Sequence, residues 1–315
     1  MANPLVIDVH VHFYASRREG RESVDPYVGW EFGKHPTPAF SKYDGVVDDV
    51  LANNKESGAS KAFMVHFYLP FIDRYNHLKK LGLKPTDAAG RRAIEEFSDM
   101  HRQNLKRSNY WACEVLKPHP QLFPYVFIDP WAFTPQEAAD HMTDLAKNHG
   151  ARGIKLHAPI QMFEMGDKRM WPTYEVCRDM GLGIVAHSGT SEGPVQYGDP
   201  RAFVPVYKSF PTLKLVTAHL GNGSWKQTRD VARENPNAMF DTCELIEWFG
   251  APLGPTAREF AQLIKDIGPH RVLLASDFPW WSTKHVADII MGLPVLSRQE
   301  KEGILGANAA RYFGF

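Results

Sequence analysis

Cysteine is scarce in this sequence, with only Cys113, Cys177 and Cys243 among 315 residues. The three are far apart, odd in number and form no Cys-x-x-Cys pair, so no disulfide framework is expected. Because a reducing compartment suits unpaired cysteines, we predict a cytoplasmic protein.

The sequence also lacks an excess of one charge and a long apolar run. It has 36 basic and 36 acidic residues and a formal net charge of zero, whereas a nucleic-acid-binding face is normally basic. No run approaches the ~20 apolar residues that span a bilayer, and the first residues lack the basic and apolar regions of a signal peptide. We therefore expect a small-molecule substrate, and neither nucleic acid nor a membrane as a partner.

Hydrophobic residues make up 43% of the chain, and many of them form short runs rich in branched side chains. Continuous apolar runs of this length are typical of parallel strands that are buried on both faces. Eight such runs are predicted as strands: Leu5–Val11, Ala62–Leu69, Leu122–Ile128, Gly153–Leu156, Gly183–Ala186, Leu213–Ala218, Ala238–Phe240 and Val272–Ala275.

Segments with helical periodicity separate these runs, among them Pro135–Asn148, Trp171–Met180 and Pro255–Ile267. Repeated alternation of strand and helix predicts an α/β fold, either a barrel or a doubly wound sheet. The length suits one (β/α)₈ TIM barrel, which needs about 250 residues. We predict a single domain over residues 1–315, with long insertions after strand 1 (13–45) and strand 2 (70–120).

Titratable side chains stand at the ends of several predicted strands, where burial is costly unless they are paired or bound to metal. In a barrel the carboxyl ends of the strands converge on the active site. His10 and His12 are two residues apart, so both imidazoles project to the same side of strand 1. His187 and His219 end two later strands, and Asp277 ends the last one.

Segments along nearly the whole chain resemble the amidohydrolase superfamily, in the branch that includes aminocarboxymuconate semialdehyde decarboxylase and many uncharacterised metal-dependent hydrolases. The matching segments are IDVHVHF, RGIKLHA, IVAHSGT, LVTAHLG, LLASDFPW and ILGANAARYFG. The resemblance implies that His10, His12, His187 and Asp277 bind one divalent ion. It also implies that His219 is the acid/base group or a ligand of a second metal.

The expected cofactor is Zn²⁺, although a His₃Asp set also suits Mn²⁺, Fe²⁺ or Co²⁺. Lys155 and His157 are two apart on strand 4 and are predicted to bind a second metal or the substrate. In binuclear members of the superfamily a carboxylated lysine of this strand bridges two ions, whereas the decarboxylases of this branch generally lack that lysine. Trp280, Tyr14 and Trp30 are weaker predictions for substrate binding, and a homodimer is one expected state.

Hydrolysis of a lactone, ester or amide by a metal-activated water is the first functional prediction, since a bound ion lowers the pKa of water to about 7. His219 and Asp277 are the predicted catalytic residues. Non-oxidative decarboxylation of an aromatic or unsaturated carboxylic acid is the alternative. A metal-free or non-catalytic barrel is the third possibility.

Overall fold

Eight parallel strands lie in chain order around the centre of the computed structural model, which describes residues 4–24, 30–33, 40–191 and 195–315. Each strand is hydrogen-bonded to the next one along the chain. The strands are β1 (Val6–Val11), β2 (Ala59–Val65), β3 (Leu122–Phe127), β4 (Gly153–Leu156), β5 (Gly183–Ala186), β6 (Lys214–Thr217), β7 (Met239–Asp241) and β8 (Val272–Leu273).

Backbone hydrogen bonds also connect the first strand with the segment around the last. The N–H of Val9 donates to the carbonyl of Leu274 at 3.0 Å, and that of Asp277 donates to the carbonyl of His10 at 3.0 Å. The eight strands therefore form a nearly closed barrel, and the predicted (β/α)₈ fold class is confirmed.

Each strand is followed by at least one helix before the next strand begins, as in other barrels of this class. The helices are α1 (Arg17–Ser23), α2 (Val47–Ser57), α3 (Pro70–Leu81), α4 (Ala88–Leu116), α5 (Pro135–His149), α6 (Ala158–Gln161), α7 (Trp171–Asp179), α8 (Val204–Ser209), α9 (Trp225–Glu234), α10 (Ala257–Ile267), α11 (Thr283–Gly292), α12 (Arg298–Glu302) and α13 (Asn308–Phe313). Within the described ranges, no helix has both the length and the apolar character needed to cross a membrane.

Local signals account for several of these boundaries. The Thr134 side chain accepts a hydrogen bond from Glu137 N, and the Glu137 carboxylate accepts one from Thr134 N, which forms a capping box at the start of α5. Gly150 ends the same helix in the left-handed conformation, with φ 80°. Strand 2 differs from its prediction, because it ends at Val65 and Pro70 begins α3.

The connections after β1 and β2 contain structure of their own. The first holds α1 and a short 3₁₀ turn, Trp30–Phe32, and the second holds α3 and α4. Residues 25–29 and 34–39 of the first connection lie outside the described residues. That these connections are insertions stays a prediction.

Apolar side chains fill the barrel beneath its carboxyl end, including Phe63, Tyr125 and Leu273. The Tyr125 ring lies against two paired glycines of β4 and β5, Gly153 and Gly183. A Cβ atom at Gly153 would lie 2.2 Å from the Gly183 carbonyl oxygen and 2.4 Å from Cε1 of Tyr125. The glycines thus make room for the aromatic layer that separates the polar end from the base of the barrel.

Candidate active site

His10, His12 and Asp277 meet where β1 and the segment after β8 run side by side. Oδ1 of Asp277 lies 3.2 Å from Nε2 of His12 and 3.5 Å from Nε2 of His10. All three residues are buried, and their donor atoms lie within 4.8 Å of one another. We call this set the His10–His12–Asp277 triad.

The surroundings of the triad favour the protonation states that ligate metals. Burial lowers the pKa of His10 well below its usual value, and the nearby Lys155 lowers it further. Burial also lowers the pKa of His12. Burial acts to raise the pKa of Asp277, but the hydrogen bond with His12 and the charges of His10, His12 and Lys155 outweigh it and lower this pKa. Neutral imidazoles and an ionised carboxylate are the forms that bind divalent ions.

Both predicted residues of β4 face this end of the barrel. Nζ of Lys155 lies 2.7 Å from Nε2 of His10, and Lys155 is only 1% exposed. Burial lowers the pKa of this lysine, while Asp277 acts to raise it. His157 stacks on His187, with ring centroids 3.9 Å apart. Lys155 is therefore a buried basic group beside a predicted metal ligand.

His187 and His219 lie next to each other, with ring centroids 4.6 Å apart. His187 is in none of the three donor clusters found among the described residues, so its role as a ligand stays a prediction. His219 is 2% exposed, and its Nε2 has no hydrogen-bond partner within the described part of the chain.

The backbone at His219 is left-handed. The φ angles are 62° at His219, 46° at Leu220 and 43° at Asn222, in a region that residues other than glycine rarely occupy. Glu244, after β7, and Asp277, after β8, have φ angles of 59° and 58°. The polar ends of three consecutive strands therefore share an unfavourable backbone conformation, which is common at functional sites.

Three residues at or just after the end of β7 belong to the site although the sequence analysis did not select them. Asp241 and Cys243 form a donor cluster with His10 and His219, and Glu244 forms another with His219 and Asp277. The signal was present, because Asp241 directly follows the predicted seventh strand, as the selected residues follow theirs. Burial raises the pKa of Asp241 to about 7, against the lowering effect of hydrogen bonds from His219 and Cys243.

The predicted substrate-binding aromatic residues differ in position. Trp280 lies beside the triad, with its ring 5.5 Å from that of His12 in an edge-on arrangement. Tyr14 is buried, with its ring close to Gly45. Trp30 is 38% exposed. Of the three, Trp280 has a ring contact with the triad.

Glu31 connects the loop after β1 with the loops after β5 and β6. Its carboxylate accepts hydrogen bonds from Thr190 N at 2.6 Å, Gly223 N at 2.9 Å and Asn222 Nδ2 at 3.1 Å. Burial raises the pKa of Glu31 to about 7, and the hydrogen bonds limit this rise. Nothing in the sequence pairs this loop residue with loops that begin more than 150 positions later.

The raised pKa of Glu31 predicts a pH-dependent contribution to stability. The folded protein binds this proton more tightly than the unfolded chain, whose pKa is near 4.5, so the contribution is full below pH 4.5 and is lost as the pH rises to about 7. One pKa unit corresponds to about 1.4 kcal/mol. Allowing for partial exposure, we expect the unfolding free energy of the wild type to fall by about 1–2 kcal/mol relative to Glu31→Gln over this range.

Urea unfolding of both proteins at several pH values measures this difference. Glu22→Gln, an exposed glutamate of α1, is the control and is expected to follow the wild type. Parallel pH profiles for the wild type and Glu31→Gln would contradict the prediction.

The donor set fits a divalent metal ion. Two imidazole nitrogens and a carboxylate oxygen converge in the triad, with an unpartnered imidazole nitrogen on His219. Such mixed nitrogen and oxygen donors suit Zn²⁺, and also Mn²⁺, Fe²⁺ or Co²⁺.

A protein-family model described as Amidohydrolase matches residues 7–315. The chain belongs to this family. The resemblance to the amidohydrolase superfamily is thereby confirmed, and the protein is an enzyme of that superfamily.

A curated relative of this protein is 2-amino-3-carboxymuconate-6-semialdehyde decarboxylase of Dictyostelium discoideum. It is 24% identical over 200 residues, which cover 52% of this chain and 54% of the relative. The matched region thus spans about half of each protein.

Solved structures of similar fold cover nearly the whole chain. An uncharacterised TIM-barrel protein of Bordetella bronchiseptica has a TM-score of 0.70 at 20% identity, with 98% of this chain and 99% of that chain covered. A dihydroxybenzoic acid decarboxylase of a Polaromonas species, with bound manganese and the inhibitor 2-nitroresorcinol, has a TM-score of 0.65 at 14% identity and covers 99% and 97%. At these identities the likeness concerns the fold.

Proposed function

We propose that this protein is a metal-dependent decarboxylase that releases CO₂ from an aromatic or unsaturated carboxylic acid. The observation that carries the proposal is buried Lys155, with its Nζ 2.7 Å from Nε2 of His10. A basic group enclosed beside the metal ligands suits a substrate with a carboxylate. The curated relative and the Polaromonas protein are also named as decarboxylases.

Four residues are proposed to hold the ion: His10, His12, His187 and Asp277. When bound, a divalent ion would supply a Lewis acid that orients a carboxylate or hydroxyl oxygen of the substrate. Zn²⁺ is the ion we propose first, and Mn²⁺ is the next choice because the Polaromonas structure contains it. His157, stacked on His187, is proposed to contact the substrate or a second ion.

Decarboxylation breaks the bond between the carboxylate and its carbon, and the electron pair stays on that carbon. CO₂ leaves without charge, so the carbon must gain one proton. Nε2 of His219 is available to take a proton from a substrate hydroxyl or a water and to pass it to this carbon. Lys155 is proposed to hold the carboxylate, and Trp280 to border an aromatic ring.

Hydrolysis, the first functional prediction from the sequence, is not supported by these relatives, and the decarboxylase alternative fits them better. The same ion and His219 would serve a hydrolase through an activated water. A cationic Lys155 favours decarboxylation, because a neutral lactone or ester offers it no carboxylate, whereas a carboxylated Lys155 would suit a binuclear hydrolase.

The test begins with metal per chain, measured by mass spectrometry on protein purified without added metal or chelator. The metal-loaded protein is then given hydroxybenzoates, unsaturated dicarboxylates, lactones and esters, each carboxylate carrying ¹³C. We expect about one ion per chain and release of ¹³CO₂, and Lys155→Met is expected to keep the ion and lose CO₂ release. Turnover of lactones or esters without CO₂ would refute the proposal, and absence of metal after reconstitution would favour the metal-free barrel.

A further inference from the structure

The end of β7 connects the two histidines on which the proposed function depends. Asp241 and Cys243 are both 0% exposed. Oδ2 of Asp241 lies 3.2 Å from Nδ1 of His10, and Sγ of Cys243 lies 3.1 Å from Nδ1 of His219. The thiol in turn lies 3.2 Å from Oδ1 of Asp241. A continuous chain of polar atoms therefore runs from His10 through Asp241 and Cys243 to His219.

The backbone fixes the direction of hydrogen bonding at Asp241. The N–H of His219 can only donate, and it lies 2.6 Å from Oδ1 of Asp241. Asp241 is therefore an acceptor at Oδ1, and an ionised carboxylate is an acceptor at both oxygens. With Asp241 ionised, Nδ1 of His10 carries the proton that it shares with Oδ2.

The contacts of the other ring nitrogen of His10, Nε2, also indicate that the proton lies on Nδ1. Nε2 lies 2.7 Å from Nζ of Lys155, and a lysine amine donates to an unprotonated ring nitrogen. Nε2 is also the nitrogen that lies 3.5 Å from Asp277 in the triad. His10 thus keeps a lone pair on Nε2, which accepts from Lys155 in this structure and would face the proposed metal in its place, as in ligating histidines whose opposite N–H is held by a carboxylate.

The contacts of Cys243 indicate in the same way where the proton of His219 lies. A thiol has one proton, and the Cys243 thiol donates its proton to Asp241. The sulfur can then only accept a hydrogen bond from Nδ1 of His219. The proton of His219 then lies on Nδ1, and Nε2 is left with a free lone pair. This is the buried nitrogen for which the described residues provide no partner.

We infer that Asp241 and Cys243 are positioning residues that fix His10 and His219 in the tautomer with the proton on Nδ1 and the Nε2 lone pair toward the site. The inference rests on the proposed metal-dependent function for the meaning of those lone pairs. Asp241 has a second effect, because its hydrogen bond from His219 N holds the left-handed backbone at that residue.

Asp241→Asn tests the first half of the chain at nearly constant volume. If the new amide accepts from His219 N, its NH₂ group faces Nδ1 of His10 and favours the proton on Nε2, where it blocks the metal. We expect about a 10–100-fold loss of Zn²⁺ affinity, the usual effect of removing a partner of a ligating histidine. Competition with a chromophoric chelator measures the affinity, and thermal unfolding reports whether the variant is folded.

Cys243→Ala and Cys243→Ser test the second half. We expect Cys243→Ala to keep the wild-type Zn²⁺ affinity within a few-fold, and the ¹⁵N signals of His219 to lose the Nδ1–H pattern. Cys243→Ser should restore that pattern, since a hydroxyl also donates and accepts. Cys177→Ala, another fully buried cysteine, is the matched control and should change neither readout. His219→Asn identifies the His219 signals in ¹⁵N-histidine-labelled protein.

Two results would overturn the inference. One is an unchanged His219 tautomer in Cys243→Ala together with wild-type Zn²⁺ affinity in Asp241→Asn. The other is a thiolate-to-metal charge-transfer band in the Co²⁺-loaded wild type that Cys243→Ala removes, because Cys243 would then be a ligand. The tautomers can also be read without metal, so failure to bind an ion would refute the proposed function and leave this inference separately testable.

Discussion

Asp277→Ala is expected to remove the metal ion and the activity together while the barrel stays folded. The variant deletes the carboxylate whose Oδ1 lies 3.2 Å from His12 and 3.5 Å from His10, which leaves the triad without its anionic ligand. Loss of a residue that hydrogen-bonds to a metal ligand lowers metal affinity about 10–100-fold. Asp277 is proposed to be a ligand itself, so we expect its loss to lower metal affinity by more than about 100-fold. Metal content and circular dichroism measure the two effects.

Asp288→Ala is the control for this prediction. Asp288 is an exposed aspartate of α11 that pairs with Lys284, so its loss should leave metal content and activity unchanged. A folded Asp277→Ala protein that kept its ion would remove Asp277 from the ligand set. An unfolded protein would instead give the residue a structural role, and Asp277→Asn would then be the variant to compare.

His219→Asn is expected to lower kcat by about 10²–10⁴-fold with the metal retained, because a positioned acid/base group contributes about that much. Asparagine tolerates the left-handed backbone at this position better than most residues, which limits the loss of stability. Steady-state kinetics on the substrate found in the CO₂ assay, together with metal content, measure the effect.

The alternative role of His219 gives a different pattern. If His219 binds an ion, the variant should lose metal in proportion to activity, and added Zn²⁺ should restore part of the rate. His270→Asn, which changes an exposed histidine in the turn before β8, should behave as the wild type in both measurements.

The barrel could be predicted from the sequence because its strands are short apolar runs of regular spacing. The bounds of β4 and β5 agree with their predictions residue for residue. Strand 2 shows the limit of this reasoning: the apolar run continues through Phe67 and Leu69, but the backbone leaves the sheet after Val65. Hydrophobicity alone does not separate the end of a strand from the start of a buried loop.

The candidate site was predictable where each residue ends a strand by itself. His10, His12 and Asp277 lie together as the spacing and chain order indicate. Asp241 and Cys243 matter through contacts with residues that are distant in sequence, so their partners cannot be read from local pattern. The contacts of Glu31 are even less predictable from the sequence, since its three hydrogen-bond donors come from two other loops.

The left-handed backbone after β6, β7 and β8 has a consequence for the evolution and engineering of this protein. Each such residue that is not glycine costs about 1–3 kcal/mol, and His219, Leu220, Asn222, Glu244 and Asp277 all adopt this conformation. A chain selected for heat resistance alone would gain most readily by placing glycine at these turns. Three of the five are proposed catalytic residues or belong to the donor clusters. Glycine at those positions would therefore lower the catalytic rate while the barrel stayed folded. Leu220 is outside those clusters, but its side chain is fully buried in the core, so glycine there would relieve backbone strain at the larger cost of a cavity.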